Sequence, residues 1–231
     1  CRFPMKKQEL TGVRYEVEVS GLLGGHSGGE IHKERGNSNC ILGRLLWKLS
    51  EKMPVGLVFA DGGLADNAIP RQTKAVVVVE KKDAESLEQQ VAALAAELGD
   101  ELATKDPDVK VTAKRLADTA ETITCAAPEA TKRVAAFLQA TPNGVQAMSA
   151  DMPGLVQTSL NLGILKADVE VLRAEYSVRS SVESEKDNLI AKLSALVELA
   201  GGDYVVTGDY PGWKYRVHSP LREKMVKLYA E

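Results

Sequence analysis

A glycine-rich segment with one histidine, Gly-Gly-His-Ser-Gly-Gly at residues 24–29, constrains the fold more than any other part of this sequence. Glycine has no β-carbon, so four glycines around one imidazole let the backbone approach a ligand closely. Residues 11–20 alternate like a strand with one buried face, and residues 38–52 carry apolar side chains at helical spacing. The pattern places His26 in a strand-to-helix loop. A tight turn with a solvated histidine is the alternative interpretation of the same spacing.

The remaining pattern predicts two halves with a similar order of elements. The first half has helices at 38–52 and 84–104 and strands at 11–20, 56–61, 74–81 and near 109–111. The second half has helices at 128–139 and 184–200 and strands at 156–164, 169–178 and 203–207, after a polar connection at 119–127. A loop is expected at 141–154 and a further helix at 219–230.

Both halves contain strand, turn, strand, helix and strand, which predicts an α+β fold of two ferredoxin-like units, each an antiparallel sheet with helices packed on one face. We expect the first unit at 1–118, the second at 119–208, and a separate C-terminal segment at 209–231. One continuous α+β sheet without a true repeat is the alternative.

Composition and charge exclude several classes of protein. With 231 residues, 44% hydrophobic and 26% charged, the chain is globular rather than disordered. A net charge of -3 argues against a nucleic-acid partner, and no apolar run reaches membrane-spanning length. Three widely spaced cysteines favour a reducing compartment. We interpret Cys40, at the start of an apolar helix, as a small buried residue rather than a nucleophile.

Five ordered motifs carry a resemblance to a known family. They are Gly-Gly-His-Ser-Gly-Gly-Glu-Ile-His at 24–32, Asn-Ala-Ile-Pro-Arg at 67–71, Thr-Pro-Asn-Gly-Val at 141–145, Thr-Ser-Leu-Asn at 158–161 and Tyr-Pro-Gly-Trp at 210–213. In this order they resemble the aminoacyl-histidine dipeptidases, carnosinase-like di-zinc metallopeptidases. The resemblance implies the inserted lid and dimerisation domain of a cytoplasmic, homodimeric enzyme, with 209–231 returning into a catalytic domain of the same polypeptide.

The metal ligands of that family have no counterpart here. They lie in a His-x-Asp segment, a bridging Asp and a Glu-Glu pair before the lid, and in a late acidic residue and a His after it. Independently, a two-metal site needs several clustered His and carboxylate ligands, and this sequence has three histidines in all. We therefore expect two zinc ions in the full-length enzyme, none bound by this chain, and no activity of the chain alone.

Three residues are candidates for substrate contacts. The resemblance implies that His26 donates a hydrogen bond to the developing oxyanion of the scissile carbonyl. Arg179, at the end of a predicted strand, suits bidentate binding of the free C-terminal carboxylate of a dipeptide. A surface arginine paired with Glu175 or Glu183 is the alternative. For Asn67, close before Pro70, the resemblance implies a substrate hydrogen bond; a turn-forming asparagine is the alternative.

Two further residues are weaker candidates. His32 is favoured as a supporting or helix-entry residue rather than a catalytic one. Asn161 holds a place in the second half comparable with that of Asn67. The sequence thus predicts the lid of a dipeptidase acting on Xaa-His or other short dipeptides. A non-catalytic assembly module, or the lid of a related exopeptidase or deacylase, is the alternative.

Overall fold

The structure is a computed structural model that describes residues 1–117, 119–212 and 218–230. Its strands are β1 (Arg2–Pro4), β2 (Lys7–Ser20), β3 (Gly25–His26), β4 (Gly56–Gly62), β5 (Ala68–Ile69), β6 (Thr73–Val79), β7 (Lys110–Arg115), β8 (Glu121–Ala126), β9 (Gly144–Met148), β10 (Val156–Ala167) and β11 (Val171–Ser180). Its helices are α1 (Ser38–Ser50), α2 (Ala84–Glu101), α3 (Pro128–Ala140), α4 (Glu183–Leu199) and α5 (Pro220–Tyr229). Trp213 of the fifth motif and the predicted boundary positions 118 and 231 lie outside the described residues.

Within the described ranges, nine strands form one antiparallel sheet in the order β1-β11-β10-β4-β6-β2-β7, with β8 pairing β2 and β4 and β9 pairing β10. The strands β3 and β5 form a separate two-stranded ribbon. The α+β class is therefore confirmed, but two separate ferredoxin-like sheets are not present. The reason is that β4 of the first half pairs with β10 of the second, with Leu165 opposite Gly62.

The sheet also crosses the expected boundary between the halves. β1, at the start of the chain, pairs with β11, and β8 pairs with the first part of β2. The prediction of a polar connection at 119–127 is wrong, because residues 121–126 form β8. The loop expected at 141–154 contains β9, and of the strand expected at 203–207 only an isolated bridge between Asp203 and Arg2 is present.

A row of helices, in the order α2, α1, α3 and α4, covers the sheet. Alternate residues of β2, from Val13 to Val19, are fully buried beneath it, and α1 contributes Leu42, Leu45, Leu46 and Leu49 to the same core. Because β2 alternates buried and partly exposed residues, one face of the sheet packs under helices. No helix in the described ranges combines the length and hydrophobicity needed to cross a membrane.

The three cysteines are free. Burial raises the pKa of the Cys40 thiol to about 12, so the thiol stays protonated at neutral pH. This agrees with its interpretation as a packing residue rather than a nucleophile. The backbone N–H of Cys40 donates to Asn37 at the start of α1.

Candidate functional site

The histidine segment is built around the small ribbon of β3 and β5. Within the predicted loop, His26 lies in β3 directly opposite Ala68 of β5, and the backbone N–H of Ser27 donates to the carbonyl of Asn67 at 2.8 Å. The sequence places His26 and Asn67 forty-odd positions apart, and the ribbon brings their backbones together. The first two motifs of the family resemblance therefore form one structural unit.

Glycine at position 24 is required by both conformation and space. Its φ is +63°, in the left-handed region that side chains rarely adopt. A β-carbon there would stand 2.7 Å from the carbonyl oxygen of Ile69 and 2.6 Å from Cγ of Arg71. The glycine thus lets the chain enter β3 while packed against β5.

Backbone hydrogen bonds fix the orientation and tautomer of the His26 imidazole. Its Nδ1 accepts from the backbone N–H groups of Gly28 and Gly29, each at 3.1 Å. A nitrogen that accepts in this way carries no proton, so in the neutral ring the proton is on Nε2. The exposed imidazole consequently presents an N–H donor from Nε2.

Glu30 stabilises the same turn. It belongs to the first motif but was not among the residues predicted to contact substrate. Its carboxylate accepts from the backbone N–H of His26 at 3.0 Å and from Lys33 at 2.7 Å. These two hydrogen bonds, chiefly that from Lys33, lower the pKa of Glu30 to about 2. Arg35 contacts the same carboxylate at 3.3 Å and also donates to the carbonyl of Gly24. In the sequence, this stabilising role is indicated only by the position of Glu30 four residues after His26.

Arg179 lies against the histidine segment. A β-carbon on Gly28 would stand 3.3 Å from Cζ of Arg179 and 3.0 Å from Cε1 of His26. Nε of Arg179 is buried and has no hydrogen-bond partner among the described residues. Of the acids considered as partners, Glu183 instead pairs with Lys186 at 2.7 Å. Neither Glu183 nor Glu175 forms an ion pair with Arg179 in the described part of the chain.

The two side chains line one cavity of about 1000 Å³, which runs along β11 and α4 toward residues 203–212. Its lining includes His26, Gly28, Asp66, Ser159 and Arg179. The cavity therefore places an N–H donor, Nε2 of His26, close to the guanidinium of Arg179, which has no ion pair among the described residues. Such a pair suits a ligand with a polarised carbonyl and a carboxylate.

Asn67 is exposed at the edge of this region but is not among the cavity-lining residues, which include its neighbour Asp66. Asn161 has a structural role instead of contacting the cavity. It is buried, and its Nδ2 donates to the carbonyls of Asp66 at 3.0 Å and Ala68 at 2.9 Å. Asn161 thus anchors the segment that carries Asn67.

A buried polar network joins the two halves beside this segment. Asn37 caps α1 by accepting from the backbone N–H of Asn39 at 3.0 Å, and its Nδ2 donates to the carbonyl of Leu162 at 3.0 Å and to Asn161 at 3.3 Å. An asparagine just before a helical pattern is a recognisable cap signal. Its contacts with β10 depend on the tertiary structure.

His32 is exposed in the single turn at Ile31–Lys33, in which Ile31 is buried, and it does not line the cavity. The described residues contain no cluster of three or more His, Cys, Asp or Glu side chains that could hold a metal ion. The donor set of the described residues therefore does not fit the zinc pair that the family resemblance implies.

Comparison with known proteins identifies the domain. Residues 17–106 match the family profile described as a peptidase dimerisation domain. These residues form an M20 peptidase dimerisation domain. The dimerisation domain contains His26 and Asn67, whereas Arg179 lies beyond the matched range.

Two relatives match nearly the whole chain. The chain is 33% identical over 215 residues to the cytosol non-specific dipeptidase of Escherichia coli K12, which covers 93% of this chain and 44% of that protein. The crystal structure of aminoacylhistidine dipeptidase from Vibrio alginolyticus matches with a TM-score of 0.89 and 29% identity, over 99% of this chain and 46% of that chain. The resemblance to the dipeptidases is confirmed, and the chain spans less than half the length of these relatives.

Proposed function

We propose that this chain is the lid and dimerisation domain of a cytosolic dipeptidase that cleaves Xaa-His or other short dipeptides. The names of the two relatives and the match to a peptidase dimerisation domain support this proposal. The observation that carries it furthest is the approach of His26 and Arg179 to the same glycine, Gly28.

His26 stabilises negative charge on the scissile carbonyl oxygen. Hydrolysis of a peptide bond turns this oxygen into an oxyanion, and a fixed N–H donor aimed at it lowers the barrier by about 3–4 kcal/mol. The backbone donors at Nδ1 leave the N–H on Nε2, so the ring is already in the tautomer that donates. Little reorganisation is then needed when the charge develops.

Arg179 binds the C-terminal carboxylate of the dipeptide. A guanidinium presents parallel N–H donors that match the two oxygens of a carboxylate, and that of Arg179 has no acidic partner in the described part of the chain. Its proximity to His26 suits a substrate whose carboxylate is one residue from the scissile carbonyl. Asn67 contributes a further hydrogen bond to the substrate from the edge of the cavity.

The zinc ions belong to another part of the full-length enzyme. As the family resemblance implies, the two zinc ions are held by a catalytic domain of the same polypeptide, and this chain alone is inactive. Residues 209–231 lead toward that domain, residues 1–118 and 119–208 form the two parts of the lid, and the whole enzyme is a homodimer. Neither nucleic acid nor a membrane is a partner.

The decisive experiment replaces His26 in the full-length enzyme. We expect His26→Ala to lower kcat about 10²–10³-fold, the scale for removal of one oxyanion donor, while the zinc content stays unchanged. His32→Ala, which alters an exposed histidine of the same segment, is the control and should leave kcat nearly unchanged. Normal turnover of His26→Ala, or loss of zinc from it, contradicts the proposed mechanism. A wild-type enzyme without dipeptidase activity favours an assembly module or a related deacylase.

A further inference from the structure

One buried carboxylate, that of Asp106, holds both ends of the segment that contains His26. Its Oδ1 accepts from the backbone N–H of Leu23 at 2.7 Å, and its Oδ2 accepts from the backbone N–H of Gly36 at 2.6 Å. Asp106 is completely buried and follows α2, in the turn that leads to β7. Residues 23 and 36 lie at the two ends of the segment, so the side chain of Asp106 holds these ends together.

The chemistry of this contact requires a carboxylate. An ionised carboxylate has two accepting oxygens, and here each oxygen takes one backbone donor. A carboxamide has the same shape but only one accepting atom, and its nitrogen would meet an N–H group. Within the described residues Asp106 forms no ion pair, so its hydrogen bonds to the segment offset the cost of burying its charge.

Close packing also restricts the C-terminal end of the segment, at Gly36. A β-carbon on Gly36 would stand 2.9 Å from Cδ1 of Leu102 and 3.4 Å from Oδ2 of Asp106. Lys105, next to Asp106, also pairs with Glu34 at 2.7 Å. This second pair is exposed and stabilises little by itself. The turn after α2 therefore contacts the segment at three positions, and Asp106 makes the buried contacts.

We propose that Asp106 is a positioning residue for His26, keeping the ends of residues 23–36 together so that the imidazole meets the substrate carbonyl. This inference rests on the proposed function of His26. Asp106 itself contacts no substrate and acts through the backbone of the segment. Arg179 lies on β11, and its position does not depend on the hydrogen bonds of Asp106.

The test compares Asp106→Asn with Asp168→Asn in the full-length enzyme. Asp168 is an exposed contrasting control, because a single oxygen of its carboxylate, Oδ1, accepts from the backbone N–H groups of both Glu170 and Val171, and asparagine keeps that oxygen. We expect Asp106→Asn to increase hydrogen exchange selectively in residues 23–36 and to lower kcat about 10–100-fold, as for a small misplacement of a catalytic group. KM should change by less than about twofold, because Arg179 still binds the carboxylate. Asp168→Asn should show neither effect.

A double mutant separates positioning from general destabilisation. Adding Asp106→Asn to the His26→Ala enzyme should lower kcat no further, because Asp106 acts through His26. If the two effects on kcat multiply, or if exchange in residues 23–36 does not rise, the proposal is wrong. Normal kcat of His26→Ala alone would instead contradict the proposed function. The exchange data would still show whether Asp106 holds the ends of residues 23–36 together.

A measurement on the unaltered enzyme covers the case in which Asp106→Asn does not fold. The amides of Leu23 and Gly36 lie outside helices and the sheet, yet both donate to a buried carboxylate. We expect both amides to exchange slowly with solvent. Exchange at the rate of an unprotected loop would overturn the proposal.

Discussion

Arg179 and His26, from opposite halves of the chain, both lie within contact distance of the position that a β-carbon on Gly28 would take. The backbone of Gly28 also donates to Nδ1 of His26. A residue without a side chain therefore separates the two proposed substrate contacts. This arrangement makes Gly28 a sensitive position for testing the site.

Gly28→Ala should impair catalysis without unfolding the protein. The new β-carbon would crowd Cε1 of His26 and Cζ of Arg179, and a displacement of a catalytic group by a fraction of an ångström lowers kcat/KM by about 10–100-fold. Gly29→Ala is the matched control, because its β-carbon would lie 3.8 Å from His26 Nδ1, in ordinary contact. Steady-state kinetics of both variants check this prediction. Equal losses in the two variants would contradict it.

Arg179→Ala should raise KM more than it lowers kcat, because the guanidinium binds the same carboxylate in the ground and transition states. Arg179→Lys should recover only part of the affinity, since an ammonium cannot bind bidentately. The measurement is kinetics with a dipeptide and its C-terminal amide. Arg133→Ala, which alters an exposed arginine bound to the carbonyl of Pro4, is the control. If Arg179→Ala keeps the preference for a free C-terminus, its role is wrong.

Asn161→Ala should reduce the free energy of unfolding by about 2 kcal/mol or more, because it leaves the carbonyls of Asp66 and Ala68 without their donor and opens a buried space. Gln146→Ala is the control, since Gln146 is exposed and its amide contacts backbone carbonyls only at 3.3–3.4 Å. Denaturant unfolding of each variant gives the comparison. A stability of Asn161→Ala equal to that of the control would contradict the anchoring role.

Glu30 should stabilise the histidine segment down to unusually low pH. Its folded-state pKa, about 2, lies below the ordinary value of 4.5, so its stabilisation is fully present above pH 4.5 and is lost as the pH falls toward 2. The difference in unfolding free energy between wild type and Glu30→Gln should be constant above about pH 5 and shrink below it. Glu9→Gln, at an exposed glutamate without a side-chain hydrogen bond or ion pair in the described ranges, is the control. A difference independent of pH would contradict the prediction.

Local sequence patterns predicted most elements, but they failed where an element depends on a distant partner. The apolar spacing of residues 38–52 predicted α1, found at Ser38–Ser50. Three of the six residues at 121–126 are polar and exposed, and the segment forms a strand because β2 offers six residues for pairing. Conversely, residues 204–207 have the composition of a strand but form no strand in the described structure, because pairing with β1 stops at the bridge between Arg2 and Asp203.

The sequence by itself determined the glycine-rich segment around His26, the α+β class and the family, because each depends on local spacing or on motifs in order. Only the tertiary structure decided that Arg179 lies beside His26 at Gly28, that Asn161 anchors the segment of Asn67, and that Asp106 holds the ends of the histidine segment together. These contacts follow from the pairing of β4 with β10 and from the return of the chain after α2. Periodicity specifies which face of a strand is buried, but not which strands become neighbours across a hundred residues.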